Sequence, residues 1–372
     1  MSSNPEGTKR ERDGTDQEEL PAKPIHGDLA IWGPRIATLG CLGLNLWQAQ
    51  QIPGPHGVVG VTFPFFGTSS QDRFAAQRMT WTLASPLLIW TIEGYRAANS
   101  MTPLALPLAF GVATQVFGIA TVAPIYYACS LFTGDVPSAD KKVDPLAAMA
   151  VLPATIIGHV LPSILMSTLP LTATEVSRSH FTLQSIVCYA FYLSPITVSV
   201  LTRGISAGVR WLRRKWHSTS APVKERTKEQ YVQAGLDLPA LQASYSMMLV
   251  LQAGQQLPGV IEALRILYDV LEPFSWPDRL ALLIMNARPG SISHILGTEQ
   301  EPSFSIGSSL TLFISSTMAF LLYNVWDLRR RGYITNREAV KTALGLSAAP
   351  IAPGAAYAGM WLWRENVLCR VR

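Results

Sequence analysis

Residues Thr80–Asn99, TWTLASPLLIWTIEGYRAAN, decide the fold class of this chain. The stretch runs from Trp81 to Ile92 without a charged residue, and it then meets Glu93 and Arg96. An isolated charge in hydrocarbon is costly, so an acid at the end of a membrane span must be paired, neutralised or hydrated. Two interpretations of Glu93 are open: a functional acid inside the membrane, or an acid neutralised by Arg96 on the same helical face.

Apolar stretches of similar length recur along the chain. Of its 372 residues, 48% are hydrophobic and 15% are charged, with a mean hydropathy of +0.22. Soluble domains average about 25% charged residues, and about 20 apolar residues cross the ~30 Å hydrocarbon core. The composition therefore predicts an all-α fold, a polytopic transmembrane helical bundle.

The apolar stretches predict about seven or eight spans. The candidates are, in chain order, Leu29–Gln51, Thr80–Asn99, Pro103–Thr133, Pro145–Leu171, Phe181–Thr202, Leu238–Ile266, Phe304–Asp327 and Ala339–Trp363. Tyr268–Thr298 has an apolar core too short to span, so we predict a loop with a short re-entrant or interfacial helix. Residues 1–28 are a predicted disordered polar tail, and residues 29–372 a single transmembrane helical domain.

The net charge of +5 comes from the connectors. Because Lys and Arg concentrate on cytoplasmic loops, the connector Arg203–Lys228 is predicted to face the cytoplasm. Membrane lipid is an expected partner, and nucleic acid is not, since no basic patch alternates with aromatic residues on a soluble domain. Four scattered cysteines without a CxxC pair indicate neither disulfides nor zinc.

A second notable stretch is YNVWDLRRRGY, residues Tyr323–Tyr333. Asp327 stands where the seventh predicted span meets three arginines, and Tyr323 and Asn324 share its helical face. The functional interpretation is an intramembrane acid. The structural alternative is pairing of Asp327 with Arg330 and Arg331 at the membrane interface.

The motifs WTIEGYR and NVWDLRRRGYIT resemble the fungal integral-membrane terpene cyclases of meroterpenoid pathways. The resemblance covers about Thr80 to Glu365 and implies a multi-pass protein of the endoplasmic reticulum. It also implies a lipophilic, prenylated and epoxidised substrate, with no cofactor and no metal. Glu93 and Asp327 occupy the positions that resemble the acids thought to protonate the substrate in that family.

The implied chemistry makes physical sense. Opening an epoxide needs a neutral carboxylic acid, and a carboxyl group in an apolar site has a raised pKa. The carbocation that forms needs a dry pocket with aromatic faces. The candidate substrate-binding residues are Trp90, Tyr95, Tyr323, Asn324 and Trp326. For any one of the aromatic residues, the alternative is ordinary packing or an interfacial anchor.

The predicted topology conflicts with a pair of catalytic acids. In an eight-span bundle the second and seventh spans run in opposite directions, yet Glu93 and Asp327 both lie at the C-terminal ends of their spans. The acids would then sit near opposite membrane faces. Either Tyr268–Thr298 crosses the membrane, or some spans are tilted or broken, or only one acid is catalytic.

Other functions remain open from the sequence. A UbiA-like prenyltransferase would need two Asp-rich motifs to hold magnesium and diphosphate, and Asn324 and Asp327 stand isolated. A transporter would line a polar pathway with Glu93, His159 and glutamines, although no internal repeat is visible. A non-catalytic membrane protein is a further alternative. His159 alone is predicted to be a buried histidine with satisfied hydrogen bonds. No P-loop and no Rossmann glycine pattern occur.

Overall fold

The computed structural model describes residues 28–51, 80–133, 142–168, 183–217, 237–271, 304–347 and 349–371. These residues form helices, and within these ranges the only β-type pairing is an isolated bridge between Arg96 and Val143. In chain order the α-helices are α1 (Asp28–Gln51), α2 (Ala84–Gly94), α3 (Pro107–Phe117), α4 (Ile119–Thr133), α5 (Pro145–Thr155), α6 (Leu161–Thr168), α7 (Leu183–Tyr192), α8 (Ser194–His217), α9 (Asp237–Leu271), α10 (Phe304–Arg330), α11 (Asn336–Leu346) and α12 (Pro353–Val371). A π-helical turn, Ile156–Val160, joins α5 to α6. The all-α prediction is confirmed.

Among the described residues, two helical segments are long and apolar enough to cross a membrane, Pro145–Met166 and Ser309–Arg330. A third is added if Ile186–Tyr192 and Ser194–Trp216, which bend by 71°, form one span. The predicted count of seven or eight spans is not confirmed, because breaks divide several of the apolar stretches into shorter helices.

The predicted third span is a pair of helices and not one crossing. Helix α3 lies antiparallel to α2, since a Cβ atom on Gly111 would contact Leu87 while one on Gly94 would meet Pro107. Gly118 then turns the chain into α4 with a φ of 82°, a conformation that glycine adopts at little steric cost. Helix α4 runs back along α3, so this stretch returns to the end of the bundle at which it began.

The additional chain reversal between α3 and α4 changes the direction in which the later helices run. Helix α12 runs parallel to α2, because Tyr357 contacts Trp90 and Trp361, one turn later, contacts Glu93. The hydroxyl of Tyr127, whose ring also packs against Tyr357, bonds to Thr317 of α10.

Helix α10 runs in the same direction as α12. Phe320, one turn beyond the residue that contacts Tyr127, packs against Trp361 with ring centroids 5.8 Å apart. Asp327 lies two turns further along α10 and therefore points toward the same end of the bundle as Glu93. The expectation that the two acids lie near opposite faces is wrong, because the chain makes an additional reversal at Gly118.

The bounds of other predicted spans also differ in the structure, where the helices are interrupted or extended. The first, fourth, sixth and seventh spans correspond closely to α1, α5–α6, α9 and α10. The eighth is divided between α11 and α12. Helix α8 continues to His217, through basic residues that were predicted to form a connector.

Some predictions lie outside the described residues. The polar tail is described only at Asp28, and most of the predicted re-entrant segment, residues 272–298, is not described. Both stay predictions, as does the single domain over residues 29–372.

Candidate active site

The carboxylate of Glu93 is buried and surrounded by hydrogen-bond donors. Arg96 Nε lies 2.9 Å from Oε2, and Trp361 Nε1 donates to Oε1 at 2.9 Å. Asn99 Nδ2 donates to Oε2 at 3.4 Å, and Arg364 Nη1 lies 3.6 Å from Oε1. Glu93 is only 8% exposed, so these groups replace the water that a buried carboxylate loses.

Arg96 links Glu93 to a second buried acid, Glu365 of α12. Arg96 Nη2 donates to Glu365 Oε1, and Arg364 Nη1 lies 3.3 Å from the same oxygen. Arg96 is 2% exposed and Glu365 is 1% exposed. We call Glu93, Arg96, Arg364 and Glu365 the acid cluster. Removing one member would leave an uncompensated buried charge, which is strongly destabilising.

The acid cluster bears on both sequence interpretations of Glu93. The ion pair with Arg96 is present. The neutral acid expected from the apolar sequence is not what these contacts favour, since an ionised carboxylate accepts hydrogen bonds and every partner here donates. The sequence did not indicate this because Trp361 and Arg364 arrive from α12, far along the chain.

Asp327 lies in a more local environment. Its two oxygens accept from Arg330 Nη2 and Arg331 Nε, both at 2.7 Å, and its side chain is 17% exposed. In the part of the chain that the structure describes, no hydrogen bond or ion pair joins Asp327 to the acid cluster. The structural alternative predicted for this acid is therefore present.

The other predicted substrate-binding residues lie on α10 or just beyond α2. The Tyr323 hydroxyl accepts from Arg35 Nε at 2.9 Å, and Asn324 Nδ2 donates to the Phe320 carbonyl at 2.8 Å. Trp326 is partly exposed on the same helix. Tyr95 is partly buried and packs against the core. None of these four makes a hydrogen bond to Glu93 among those described.

Aromatic side chains pack directly beside the acid cluster. Trp90, one turn before Glu93, stacks on Tyr126 with ring centroids 4.3 Å apart, and its Nε1 donates to the Tyr357 hydroxyl at 3.3 Å. Tyr357 in turn packs edge-on against Trp361 at 4.8 Å. This aromatic cluster comprises Trp90, Phe110, Tyr126, Tyr127, Phe320, Tyr357 and Trp361. It brings the faces of several rings within one turn of a buried carboxylate.

A small, partly open cavity adjoins the aromatic cluster at Trp90. Its enclosed space is about 20 Å³, which is room for about one water molecule. Its lining is mostly apolar, with Thr114, Gln115, His159 and Ser194 as the polar side chains. Trp90 belongs both to the cavity wall and to the aromatic cluster, so it is the structural link between an apolar pocket and the acid cluster.

His159 stands in the π-helical turn at the cavity wall. Its Nε2 lies 3.3 Å from the Thr80 carbonyl oxygen, so this nitrogen carries the hydrogen. Its Nδ1 then accepts from the Ser194 hydroxyl at 3.0 Å. The prediction of a buried histidine with satisfied hydrogen bonds is confirmed.

The sequence analysis missed Glu365 and its neighbours on α12. A signal was present: Tyr357, Trp361 and Glu365 are spaced four residues apart and share one helical face. The sequence pattern alone does not distinguish this face from aromatic residues that anchor a helix end at the membrane interface.

The four cysteines are free thiols. Within the described ranges, no group of three or more His, Cys, Asp or Glu side chains is placed to hold a metal ion.

Comparison with known proteins gives one family and several partial relatives. A family model described as the CtvD domain matches residues 58–257, more than half of the chain. The terpene cyclase ascI of Acremonium egyptiacum is 37% identical over 87 residues, which are 22% of this chain and 23% of that protein.

Two longer matches are with proteins named FAD-dependent monooxygenases. VerC1 of Penicillium polonicum is 24% identical over 315 residues, 83% of this chain and 34% of that protein. BOA8 of Botryotinia fuckeliana is 24% identical over 332 residues, 86% of this chain and 37% of that protein. The chain therefore spans only about a third of the length of these two relatives. No solved structure matches it.

Proposed function

Because the chain belongs to the CtvD-domain family and resembles a fungal terpene cyclase, we propose that it is a membrane-bound terpene cyclase of secondary metabolism. The proposed substrate is a lipophilic, prenylated small molecule that carries an epoxide. A carboxylic acid protonates the epoxide, and the alkenes of the prenyl chain then close the rings. The proposed reaction isomerises the substrate and uses neither metal nor nucleotide.

The observation that carries this proposal is the contact between the acid cluster and the aromatic cluster. Trp361 bonds to Glu93 and packs against Tyr357, and Trp90 precedes Glu93 by one turn. Aromatic faces stabilise positive charge through their quadrupole, and their close packing excludes the water that would quench a carbocation. Buried carboxyl groups beside packed rings are the arrangement that acid-initiated cyclisation requires.

The cavity supports an apolar substrate. Its wall is mostly aliphatic, and it reaches Trp90, one turn from Glu93. The cavity is smaller than an isoprenoid chain, so we propose that it widens as the substrate enters and that the chain then meets the aromatic cluster at the inner end. We propose that the polar side chains in the wall, Gln115 among them, orient the remainder of the substrate.

The name of the two longer relatives suggests a second activity, flavin-dependent oxygenation. The chain corresponds to about a third of each of them, and it has no Rossmann glycine pattern of the kind that holds a dinucleotide. We therefore assign flavin binding to the unmatched parts of those proteins and the cyclase role to the matched part. For the membrane, we propose a multi-pass location in the endoplasmic reticulum.

The test is to express the chain in microsomes and supply an epoxyfarnesyl-type aromatic substrate in the presence of EDTA. We expect a cyclised product of unchanged mass. Loss of turnover on chelation would contradict the metal-free mechanism. Movement of the substrate across the membrane without chemical change would instead support a transporter.

Glu93→Gln tests the site, with Glu338→Gln as a matched control on the exposed surface of α11. We expect cyclisation to be lost in the first variant and kept in the second. Full activity in Glu93→Gln would remove Glu93 from the active site.

A further inference from the structure

We propose that the C-terminal half of α8, residues 203–216, is a binding surface for the head groups of anionic phospholipids in the cytoplasmic leaflet. This inference rests on the proposed membrane location but not on the cyclisation, so it can be tested without substrate or turnover. We call residues 203–216 the basic helix end. It combines a cationic face, an exposed apolar face and a position at the end of a candidate span.

The basic helix end, RGISAGVRWLRRKW, contains five cationic residues and no acidic residue. Arg203, Arg210 and Arg214 are seven and four residues apart, so they share one face of the helix, and all three are exposed. Arg210 pairs with Asp144 at 3.2 Å, but both side chains are about half exposed, and a solvated pair of this kind is weak. The cationic face therefore keeps most of its charge. The five cationic residues are Arg203, Arg210, Arg213, Arg214 and Lys215.

The opposite face of the basic helix end is apolar. Ile205 and Val209 are partly buried on this face, and Ile205 packs against a small hydrophobic cluster. Further along the same face, Leu212 is 40% exposed and Trp216 is 73% exposed. The apolar face thus continues after the helix has left the protein core. A basic face opposite an exposed apolar face is typical of a helix that contacts a membrane surface.

Contacts with α5 place the basic helix end beside the start of a candidate span. The Ser206 hydroxyl donates to the Leu146 carbonyl at 3.2 Å. Arg210 pairs with Asp144, which caps α5, so the two helices are antiparallel. Helix α8 then continues beyond Arg210 to His217, a distance of about 10 Å at 1.5 Å per residue. Because α5 begins the candidate span, the last turns of α8 lie at the level of the head groups in the proposed membrane.

Two exposed tryptophans lie in these last turns. Trp211 is 61% exposed, and Lys215 Nζ lies 5.3 Å from the centroid of its ring. Tryptophan favours the boundary between head groups and hydrocarbon, and lysine extends its charge toward the head groups. A lipid offers both phosphate for the cations and acyl chain for the exposed rings. A soluble polyanion offers only the first, so the two faces together favour lipid over nucleic acid or an acidic protein.

Other basic residues lie at the same end of the bundle. The Ala97 amide donates to the Lys142 carbonyl at 3.1 Å, which places the exposed Lys142 near Arg96 of the acid cluster. The arginines that follow Asp327 also lie toward this end, the end of Glu93. Because cationic residues concentrate on the cytoplasmic side, we assign this end to the cytoplasmic leaflet, whose anionic lipids attract basic segments.

Native mass spectrometry of the full-length protein, released from mixed micelles of phosphatidylserine and phosphatidylcholine, measures which lipid is retained. We expect the wild type to retain phosphatidylserine preferentially. Combining Arg203→Gln, Arg210→Gln and Arg214→Gln should lower this preference by about tenfold or more, since each cation near a membrane surface contributes about fivefold. Equal retention of the two lipids by the wild type overturns the proposal.

The matched control removes three exposed cations elsewhere, by combining Arg337→Gln, Lys341→Gln and Arg370→Gln. The control should keep the wild-type preference for phosphatidylserine. An equal loss in both triple variants would show a general attraction between charges and would overturn the assignment to the basic helix end.

Two further measurements use the wild type alone and decide the matter if the first triple variant does not fold. The preference for phosphatidylserine should weaken as ionic strength rises, because salt screens exposed charges, and a preference unchanged at high salt overturns the proposal. An RNA oligonucleotide should not displace phosphatidylserine, and displacement would overturn the assignment to lipid. If the wild type cyclises nothing, the cyclase function fails while these lipid results still stand.

Discussion

Glu93 and Asp327, the two candidate acids in the sequence, form different kinds of ion pair. Each precedes an arginine by three residues and lies within hydrogen-bond reach of it. Asp327 draws its charged partners from its own helix end. Glu93 shares Arg96 with a second buried acid and also receives Trp361 from α12. Local pairing of this kind contributes little by itself, whereas a buried cluster assembled from distant segments can support chemistry.

The largest difference in stability loss between the two regions is expected when the shared cation, Arg96, is replaced. Arg96→Met leaves Glu93 and Glu365 buried without their common partner, and we expect a loss of about 3–5 kcal/mol in stability. Arg331→Met at the Asp327 pair should cost less, because Arg330 still pairs with Asp327 in that variant. Thermal unfolding of the detergent-solubilised proteins measures both. Equal losses would show that the two regions do not differ in the way described.

Removing one charge from each acid compares their roles in turnover. Glu93→Gln should lower the rate of cyclisation by a factor on the order of 100 or more, because Arg96 loses its buried anion. Asp327→Asn should change it by less than about fivefold, since the partners of Asp327 among the described residues are Arg330 and Arg331, which follow it directly in the chain. Product formation in microsomes, normalised to protein level, gives the comparison. A larger effect at Asp327 would reverse the ranking.

The indole of Trp361 offers a smaller and more specific change. Trp361→Phe keeps an aromatic ring but removes the N–H that donates to Glu93 Oε1. A hydrogen bond to a charged group contributes about 1.5–3 kcal/mol, so stability and turnover should both fall measurably. Trp47→Phe on α1, where the side chain is 58% exposed, is the control and should leave turnover unchanged. If both variants behave alike, the indole N–H does not act on the acid cluster.

The smallest effect is expected at Tyr323. Tyr323→Phe removes the hydroxyl that accepts from Arg35 and keeps the ring, so it should cost about 0.5–1.5 kcal/mol. Turnover should stay at the wild-type level, as measured in the same microsomal assay. A marked loss of turnover without loss of stability would return Tyr323 to the list of substrate-binding residues.

Hydropathy predicted the helical class and located several helices well, α10 among them. It did not predict the reversal at Gly118, because the surrounding residues are apolar and glycine is common inside membrane helices. That reversal decides whether Glu93 and Asp327 face the same end of the bundle. The sequence identified Trp90 because it precedes Glu93 by three residues and therefore shares its helical face. Glu365 was missed because its partner Arg96 lies 269 residues away, and no local pattern reports such a contact.

The hairpin of α3 and α4 is short compared with a membrane. With 11 and 15 residues, these helices are about 16 and 22 Å long at 1.5 Å per residue, and neither matches a ~30 Å hydrocarbon core. In the proposed membrane, the bilayer beside them must thin or be filled by adjoining segments, at a cost of fractions of a kcal/mol per Å of mismatch. Gly111 and Thr114 of α3 and Ile119 of α4 line the cavity. In that membrane, bilayer thickness would bear on the pocket, and lipids of different acyl-chain length would change its shape without a change in any residue.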